Sequence, residues 1–201
     1  TLPETKVIYF LHFWTLSAFL YAISKSPNTQ LIGKIDEDVM FFPDQLLPLL
    51  ETGEVNYNST VIYGSKYGAG SPVNHDDLSK WHVPKSAFNC RFYPEYFAGP
   101  IYFTTRKAAE RILRASKHRK FISVEDILIT GIIAGDVGVV KKHLPMIFPF
   151  IVSEPAKEGR QILGWHKLKS NLQYEEEFNE LRNSQCIPCK KLLKSFGDEN
   201  E

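Results

Sequence analysis

The sequence predicts one layered α/β domain, and three observations support that prediction. Helical and strand-like segments alternate along the 201 residues, a pattern typical of a sheet flanked by helices. No internal repeat or long linker divides the chain. Hydrophobic residues make up 43% of the composition, which suffices for one ordinary core. In such folds ligands bind near the carboxyl ends of strands, so polar residues there are the first candidates for a site.

The first predicted elements are a helix and a short strand. Residues 7–23 form the most apolar stretch, and they approach the roughly 20 residues that span a bilayer. Polar residues such as His12 and Thr15 interrupt this stretch, so we predict a buried helix rather than a membrane span. After a breaker at residues 26–28, residues 30–35 read as a buried strand.

A helix and two further strands are predicted in the middle of the chain. Pro43 suits the first turn of a helix, and leucines at helical spacing continue it until residues 52–53. Residues 61–67 read as a second strand, followed by a loop rich in Gly, Ser, Pro and Asp. After an aromatic block, residues 101–103 predict a third strand.

The same alternation continues towards the end of the chain. Thr104 or Thr105 is expected to cap a helix whose apolar residues fall on one face. Residues 123–134 predict another helix and 138–142 another strand. Residues 174–181 read as an acidic amphipathic helix.

Composition argues against several functional classes. Lys and Arg number 24 against 23 Asp and Glu, so no strong positive field is available and we expect no nucleic-acid partner. Three cysteines, Cys90, Cys186 and Cys189, are too few for a disulfide scaffold, and their pairing stays open. Asn58 lies in an Asn-Ser-Thr sequon within a polar loop, which fits N-glycosylation in a secretory lumen.

Three consecutive acids follow the first predicted strand. Asp36 and Asp38 are two residues apart, so in an extended segment they point the same way and can share one divalent cation. Glu37 then points away from them, and a bare pair of this kind is also common at strand ends. Apolar residues flank the acids on both sides, so a positive group, either a divalent ion or Lys34, must compensate their burial.

Several segments, including these acids, resemble one known family. Residues 34–41 resemble the K-x-D-D-D-x-F motif of the beta-1,3-glycosyltransferases, the galactosyltransferase family to which Fringe is related. Residues 81–83 and 93–102 resemble its W-x-V and Y-P-x-Y-x-x-G-x-x-Y block. Residues 125–131 resemble its E-D-V-x-x-G helix start, and 164–166 fall where it places a late histidine. Four matches in the right order form a specific signal.

The resemblance implies a GT-A-like nucleotide-diphospho-sugar transferase fold, with a mixed, mostly parallel sheet flanked by helices. It implies an inverting transfer of a hexose or N-acetylhexosamine from a UDP-sugar to a glycan hydroxyl in beta-1,3 linkage, with manganese (Mn2+) as cofactor. On this basis residues 1–181 are expected to form an N-terminally incomplete catalytic domain and residues 182–201 a tail. The expected location is the luminal side of the Golgi membrane, through an anchor outside this chain.

The same resemblance implies roles for individual residues on the donor side. Imidazole suits manganese better than calcium, and the ion would bridge the donor diphosphate as a Lewis acid. The expected metal ligands are Asp36, Asp38 and His166. The residues expected to bind the donor are Lys34, Asp36, Glu37, Asp38 and Gly99.

On the acceptor side, an inverting transfer needs a base for the attacking hydroxyl. The expected base is Asp126, with Glu125 orienting the acceptor or the helix. Ser123 precedes them in a capping-box pattern, so a carboxylate here could instead cap the helix. Trp81 and Tyr96 are expected to bind the acceptor sugar through their rings, with core packing as the alternative.

Two departures from the family pattern and two other functions stay open. Glu37 stands where Asp is commoner, and Pro100 stands where small glycines are usual, which removes a backbone N–H. A catalytically silent, lectin-like or partner-binding relative would keep the fold without the nucleotide pocket. A metal phosphohydrolase using Asp36 and Asp38 is a further alternative, which the aromatic block does not support.

Overall fold

The computed structural model describes residues 4–67, 70–148, 161–166 and 170–185. Its helices are α1 (Glu4–Lys25), α2 (Leu46–Glu51), α3 (Arg106–Ser116), α4 (Ala134–Asp136) and α5 (Asn171–Gln185). A 3₁₀ turn, Pro43–Gln45, precedes α2, and a π-helical segment, Ile127–Ile133, leads directly into α4. Its strands are β1 (Leu31–Ile35), β2 (Val39–Phe41), β3 (Val61–Tyr67), β4 (Tyr96–Thr105), β5 (Val140–His143), β6 (Ile147–Phe148) and β7 (Gly164–His166).

Two mixed sheets organise the described residues. The first has the strand order β1-β4-β3-β5, and the second has the order β2-β7-β6. Strand β4 is antiparallel to both β1 and β3, and β2 is antiparallel to β7, whereas β3 pairs with β5 and β6 with β7 in parallel. The prediction of a mixed sheet is confirmed, but the prediction that it is mostly parallel is wrong for these residues. The loop after β3 brings β4 back beside it in the opposite direction, whereas a helical crossover would produce a parallel pair.

Apolar residues cover both faces of the first sheet. On one face, Ile62 and Tyr102 belong to the cluster that α1, α3 and the π-helical segment complete. On the other face, Tyr63, Ile101 and Phe103 pack with apolar residues from β2, α2 and the chain around β6. Successive side chains of a strand point to opposite faces, which explains why residues 101–103 serve both layers. The two central strands, β3 and β4, are therefore largely buried on both sides, whereas the edge strands β1 and β5 are partly exposed.

Helix α1 is confirmed, but over residues 14–25 the predicted burial holds for only one face of the helix. Phe19 is 1% exposed, whereas Trp14 and Tyr21 are 73% and 67% exposed. The helix thus packs one face on the domain and leaves large apolar side chains on the other. In the part of the chain that the structure describes, no helix combines the length and apolar character needed to cross a lipid bilayer.

Most other predicted elements are present, with small differences in their ends. Strand β3 has the predicted bounds, and the predicted strand 101–103 extends in both directions to form β4. Thr105 caps α3, since its hydroxyl accepts from the backbone N–H of Ala108. Strands β2, β6 and β7 were not predicted because two or three residues are too short to show a periodic pattern.

Candidate active site

Strand β1 leads into a tight turn that carries the three acids. The backbone N–H of Val39 donates to the carbonyl of Asp36 at 3.2 Å, so residues 36–39 form a turn. The N–H of Asp36 donates to the carbonyl of Pro100 at 2.8 Å, which fixes the turn against β4. Because the segment turns, the alternation of an extended strand does not hold here. Asp36 and Asp38 contact different partners, and Glu37 is exposed.

Asp36 is paired with Lys34. The Nζ atom of Lys34 lies 2.6 Å from Oδ1 of Asp36 and 2.6 Å from the carbonyl oxygen of Gly99. Lys34 and Tyr102 are register partners in β1 and β4, and Nζ lies 6.0 Å from the centroid of the Tyr102 ring. At this distance the ring still attracts a cation. The prediction that Lys34 can compensate these acids is confirmed for Asp36.

Gly99 joins this pair to the acids of the helix start. A Cβ at position 99 would lie 3.2 Å from Oδ2 of Asp126 and 3.3 Å from its Cβ, so a side chain would press on the carboxylate. The N–H of Gly99 donates to Asp126, while its carbonyl accepts from Lys34. Glycine at this point therefore lets Asp126 lie directly against β4. The structure brings the predicted donor-side and base-side residues together.

Glu125 points into the core behind Asp126. The hydroxyl of Tyr102 donates to Oε1 of Glu125 at 2.7 Å, and Thr15 of α1 also hydrogen-bonds to this carboxylate. Burial raises the pKa of Glu125 to about 7, an effect that Lys34 and the Tyr102 hydrogen bond oppose and that Asp126 increases. A buried carboxyl held by β4 and α1 orients the helix start, and of the two predicted roles of Glu125 the structure favours this one over contact with an acceptor.

Asp126 is half-buried, in contrast to its neighbour. Burial raises the pKa of Asp126, while the N–H groups of Ile127 and Gly99 and the charge of Lys34 lower it. The N–H of Ile127 donates to Oδ1 at 2.9 Å, so the carboxylate does contact the helix start. A raised pKa makes a carboxylate a better proton acceptor, and its remaining lone pairs can still accept a proton. Contact with the helix and action as a base are therefore compatible.

The segment after the acids is wound as a π-helix, and its residues 127–133 are all buried. The hydroxyl of Thr130 donates to the carbonyl of Asp126 at 2.6 Å and accepts from the N–H of Phe97 at 2.9 Å. A Cβ at Gly131 would lie 3.0 Å from that of Tyr96, so the helix backbone approaches β4 closely. Wide helical turns of this type are frequent at functional sites. Here they anchor the acid pair to β4.

The predicted capping box at Ser123 does not form. The hydroxyl of Ser123 donates to the carbonyl of His82 instead of accepting from the helix. Residue 82 belongs to the loop that carries Trp81, so this bond connects that loop to the acid-bearing segment. Sequence spacing alone could not distinguish the two partners, because Ser and Thr hydroxyls bond to whichever backbone group the tertiary fold brings near.

The pKa of Glu125 leads to a prediction about stability. The folded value of about 7 lies above the ordinary value of 4.5, so the folded state holds this proton more tightly, and its stability falls as the pH rises between these values. The size of this loss is about 3 kcal/mol. We expect Glu125→Gln to abolish it, because an amide does not ionise. Urea unfolding at about pH 5 and about pH 8 measures the free energy of unfolding of both proteins. If the variant lost as much stability between these pH values as the wild type does, the prediction would be contradicted.

Asp38 is paired with His166 in the second sheet. Val39 and His166 are register partners in β2 and β7, and Nε2 of His166 lies 3.1 Å from Oδ2 of Asp38. Two adjacent ligand atoms on an octahedral ion with bonds of about 2.1 Å lie about 3 Å apart. The carboxylate and the imidazole therefore fit two neighbouring ligand positions of a divalent metal ion, and this mixed oxygen and nitrogen donor set suits a borderline ion such as manganese.

The third predicted ligand is not part of this pair. Asp36 contacts Lys34, and within residues 4–67, 70–148, 161–166 and 170–185 no group of three His, Cys, Asp or Glu side chains is placed to hold a metal ion. The predicted set of Asp36, Asp38 and His166 is thus not assembled here. The turn at residues 36–39 removes the common orientation of an extended strand, so Asp36 and Asp38 contact different partners.

The two aromatic residues predicted to bind the acceptor lie in different environments. The Trp81 side chain is 53% exposed, with Nζ of Lys80 at 5.2 Å from its ring centroid. Tyr96 is only 7% exposed, and Tyr67 and Tyr93 pack edge-on against its ring at 5.7 and 6.2 Å. The Tyr96 ring thus packs in the core, which was the alternative for this residue, and it presents no face for a sugar in this structure. Trp81 keeps an accessible face.

The remaining predicted residues lie away from this cluster. Asn58 is exposed in a loop, where Nζ of Lys107 donates to its carbonyl at 2.7 Å. Cys90 is exposed and unpaired among the described residues, and Cys186 and Cys189 lie outside them. Most of the predicted tail, residues 186–201, also lies outside the described residues.

Two polar residues of the site were not predicted. Neither Tyr102 nor Thr15 is among the predicted site residues, yet both hydrogen-bond to Glu125. A short-range sequence signal for Thr15 did exist, since a hydroxyl within an apolar stretch needs a partner when buried. Its partner could not be inferred, because Glu125 is far away along the chain.

Comparison with known proteins places the chain among glycosyltransferases. A family model described as Galactosyltransferase matches residues 9–145. The chain is 50% identical over 184 residues to Beta-1,3-galactosyltransferase bre-2 of Caenorhabditis elegans, an alignment that covers 90% of this chain and 51% of that protein. It is 27% identical over 128 residues to Lactosylceramide 1,3-N-acetyl-beta-D-glucosaminyltransferase B of Xenopus laevis, covering 64% of this chain and 33% of that protein.

A third relative is Beta-1,3-galactosyltransferase 1 of Mus musculus, 24% identical over 115 residues, with 57% of this chain and 35% of that protein covered. The chain thus spans about half the length of the first relative and about a third of the other two. The region that the family model matches includes Lys34, the turn acids, Gly99 and the Glu125–Asp126 pair. This match covers well over half of the chain, and the chain therefore belongs to the galactosyltransferase family.

Proposed function

We propose that this chain forms the catalytic part of an inverting beta-1,3-glycosyltransferase with a GT-A-like fold and a dependence on Mn2+. The proposed reaction moves a hexose or N-acetylhexosamine from a UDP-sugar to a glycan hydroxyl on protein or lipid. Family membership supports this proposal, as do the names of the relatives, which are beta-1,3-galactosyltransferases and a 1,3-N-acetylglucosaminyltransferase.

The observation that carries the proposal is the contact between two groups of polar residues. Lys34 bonds to Asp36 and to the carbonyl of Gly99, and the N–H of the same glycine bonds to Asp126. Asp126, a carboxylate with a raised pKa, and Lys34 therefore bond to the N–H and to the carbonyl of the same residue, Gly99. Sugar transfer needs this combination, a proton acceptor next to positive charge that can face a diphosphate.

The residues of the chain divide the chemistry between them. The acceptor hydroxyl forms a bond to the anomeric carbon as the bond to UDP breaks, and the Asp126 carboxylate takes its proton. In this proposal Lys34, which bonds to Asp36 and to the carbonyl of Gly99, stabilises the negative charge that collects on the departing diphosphate. Glu125 holds the start of the helix in place from the core. Asp38 and His166 would hold Mn2+, which when bound supplies a Lewis acid for the leaving diphosphate.

The acceptor is proposed to lie near Trp81. Its exposed ring offers an apolar face of the type on which sugars stack. The bond from the Ser123 hydroxyl to the carbonyl of His82 links this loop to the segment that carries Asp126. Trp81 lies one residue before His82, and Asp126 lies three residues after Ser123, so this hydrogen bond connects the ring to the base.

A transfer assay with the full-length protein tests the proposal. Labelled UDP-galactose, UDP-N-acetylglucosamine and UDP-N-acetylgalactosamine are each supplied with manganese and a panel of glycan acceptors. We expect a product with a beta-1,3 linkage from one of these donors. Calorimetric titration with UDP is the companion measurement, because a folded protein that neither transfers sugar nor binds UDP would favour the silent, lectin-like alternative.

The proposed location is the luminal side of the Golgi membrane. The exposed position of Asn58 within its sequon is compatible with N-glycosylation in that compartment. When the protein is expressed in the secretory pathway, digestion with an N-glycosidase should lower its apparent mass. In Asn58→Gln the same digestion should leave the apparent mass unchanged. A wild-type protein that already has the mass of the unmodified chain before digestion would contradict this part of the proposal.

A further inference from the structure

Tyr102 lies between Lys34 and Glu125 and takes no direct part in the proposed reaction. It is 0% exposed. Its hydroxyl donates to Oε1 of Glu125 at 2.7 Å, and its ring lies 6.0 Å from Nζ of Lys34. Lys34 in turn bonds to Asp36 and Gly99, and Asp126 follows Glu125 directly. One buried side chain on β4 thus supports both the lysine and the acid pair.

We propose that Tyr102 is a positioning residue of this site, which holds Glu125 and Lys34 in a fixed relation so that Asp126 keeps its orientation. The inference rests on the transferase function proposed above. Tyr102 cannot contact a substrate, because it is fully buried. It acts through Glu125, whose backbone continues into Asp126, and through Lys34, whose ammonium group reaches the carbonyl of Gly99.

The groups around Glu125 determine how the hydroxyl acts. Lys34 faces it from β1, Tyr102 from β4, Thr15 from α1, and Asp126 is its neighbour in the chain. A hydrogen bond from a phenol is stronger to an ionised carboxylate than to a neutral carboxyl. The hydroxyl of Tyr102 therefore lowers the pKa of Glu125, against the effect of burial. Without that donor the carboxyl is protonated over a wider pH range and loses one of the bonds that fix its orientation.

The chain offers a matched control in Tyr63. Tyr63 is also almost fully buried, lies on the neighbouring strand β3, and bonds through its hydroxyl to the backbone of Asn56 at 2.8 and 3.2 Å. Nζ of Lys142 lies 5.9 Å from its ring centroid, which matches the arrangement of Lys34 and Tyr102. Tyr63→Phe removes the same atom from a similar environment on the opposite face of the sheet, where no carboxylate accepts the bond.

The experiment compares Tyr102→Phe and Tyr63→Phe in the full-length protein. For Tyr102→Phe we expect kcat to fall about tenfold, as for loss of a hydrogen bond to a charged group, with the KM for the donor almost unchanged. The ionised Glu125 carboxylate is the form that Tyr102 holds most firmly, so activity should fall as Glu125 becomes protonated. The acid limb of the pH–rate profile should therefore follow the pKa of Glu125 and move up by about one pH unit in Tyr102→Phe. Tyr63→Phe should leave kcat and the profile as in the wild type. Urea unfolding should show a stability loss that grows with pH for Tyr102→Phe and is constant for Tyr63→Phe.

Replacing Tyr102 with tyrosine fluorinated next to the hydroxyl keeps the side chain and strengthens its donor, so the acid limb should move the other way. This variant decides the question if Tyr102→Phe does not fold. Identical pH behaviour of the Tyr102 and Tyr63 variants, or no shift with fluorotyrosine, would overturn the inference. If the wild type transfers no sugar, the proposed function fails by itself, while the unfolding curves still report whether Tyr102 and Glu125 interact.

Discussion

Replacing Asp126 with Asn is expected to lower kcat for sugar transfer by about 10²- to 10⁴-fold, the range for removal of a general base. The amide has the same shape and keeps an oxygen for the N–H of Ile127, which Oδ1 accepts at 2.9 Å. It cannot take a proton from the acceptor hydroxyl. UDP affinity should change little, because Lys34 and the Asp38–His166 pair are untouched. Steady-state transfer kinetics and calorimetric UDP titration measure the two quantities.

Asp136 provides the control for this substitution. It lies at the other end of the same helical segment and pairs with Arg119 on the surface. Asp136→Asn removes a charge of the same kind from the same segment, and exposed ion pairs contribute little to stability. We expect its transfer rate to match that of the wild type. Turnover of Asp126→Asn equal to that of Asp136→Asn would remove Asp126 from the mechanism.

Replacing Asp38 with Ala is expected to have the second largest effect. If Asp38 and His166 hold the metal ion, the substitution should weaken manganese-dependent UDP binding by about 100-fold or more, since even the outer partners of metal ligands contribute about 10- to 100-fold. Transfer should fall with it. The 3.1 Å contact between Oδ2 and Nε2 is the basis of this expectation. Calorimetry with UDP in manganese and in chelator measures the metal-dependent part.

Asp44 is the matched acid for this experiment. It pairs with Arg182 at 3.2 Å, so it too is a half-buried acid bonded to a basic residue from the C-terminal part of the described chain. Asp44→Ala should leave UDP binding and its manganese dependence unchanged. The metal role would be contradicted if chelator did not change UDP binding by the wild type. It would also be contradicted if Asp38→Ala bound UDP as tightly as Asp44→Ala does.

Much of the fold could be predicted because the longer elements have local signals. Strand β3 begins with three consecutive apolar residues of types that favour strands. Helix α3 repeats its apolar residues at helical spacing and has a threonine at its start. The strand pairing could not be predicted, because an antiparallel return through a long loop leaves no local pattern. The π-helical winding of residues 127–133 is also absent from the sequence pattern, since it depends on packing against β4.

The candidate site was predicted through motifs, and the structure corrects its details. Lys34, Gly99 and Asp126 come together as expected from the family resemblance. The common orientation of Asp36 and Asp38 assumed an extended backbone, which the turn at residues 36–39 removes. Tyr96 could not be distinguished from an exposed ring, because aromatic residues serve cores and sugar sites equally well. Burial depends on neighbours that are distant in the chain.

A structure of the full-length protein with UDP and manganese tests the central claim most directly. That claim is that the residues proposed to hold the metal ion and the diphosphate lie in one site with the proposed base, Asp126. We predict the ion on the Asp38 carboxylate and the His166 imidazole, the diphosphate beside Lys34, and the Asp126 carboxylate facing the sugar position from the side of Gly99. Nucleotide bound elsewhere, or an Asp126 carboxylate separated from it by the sheet, would contradict the account.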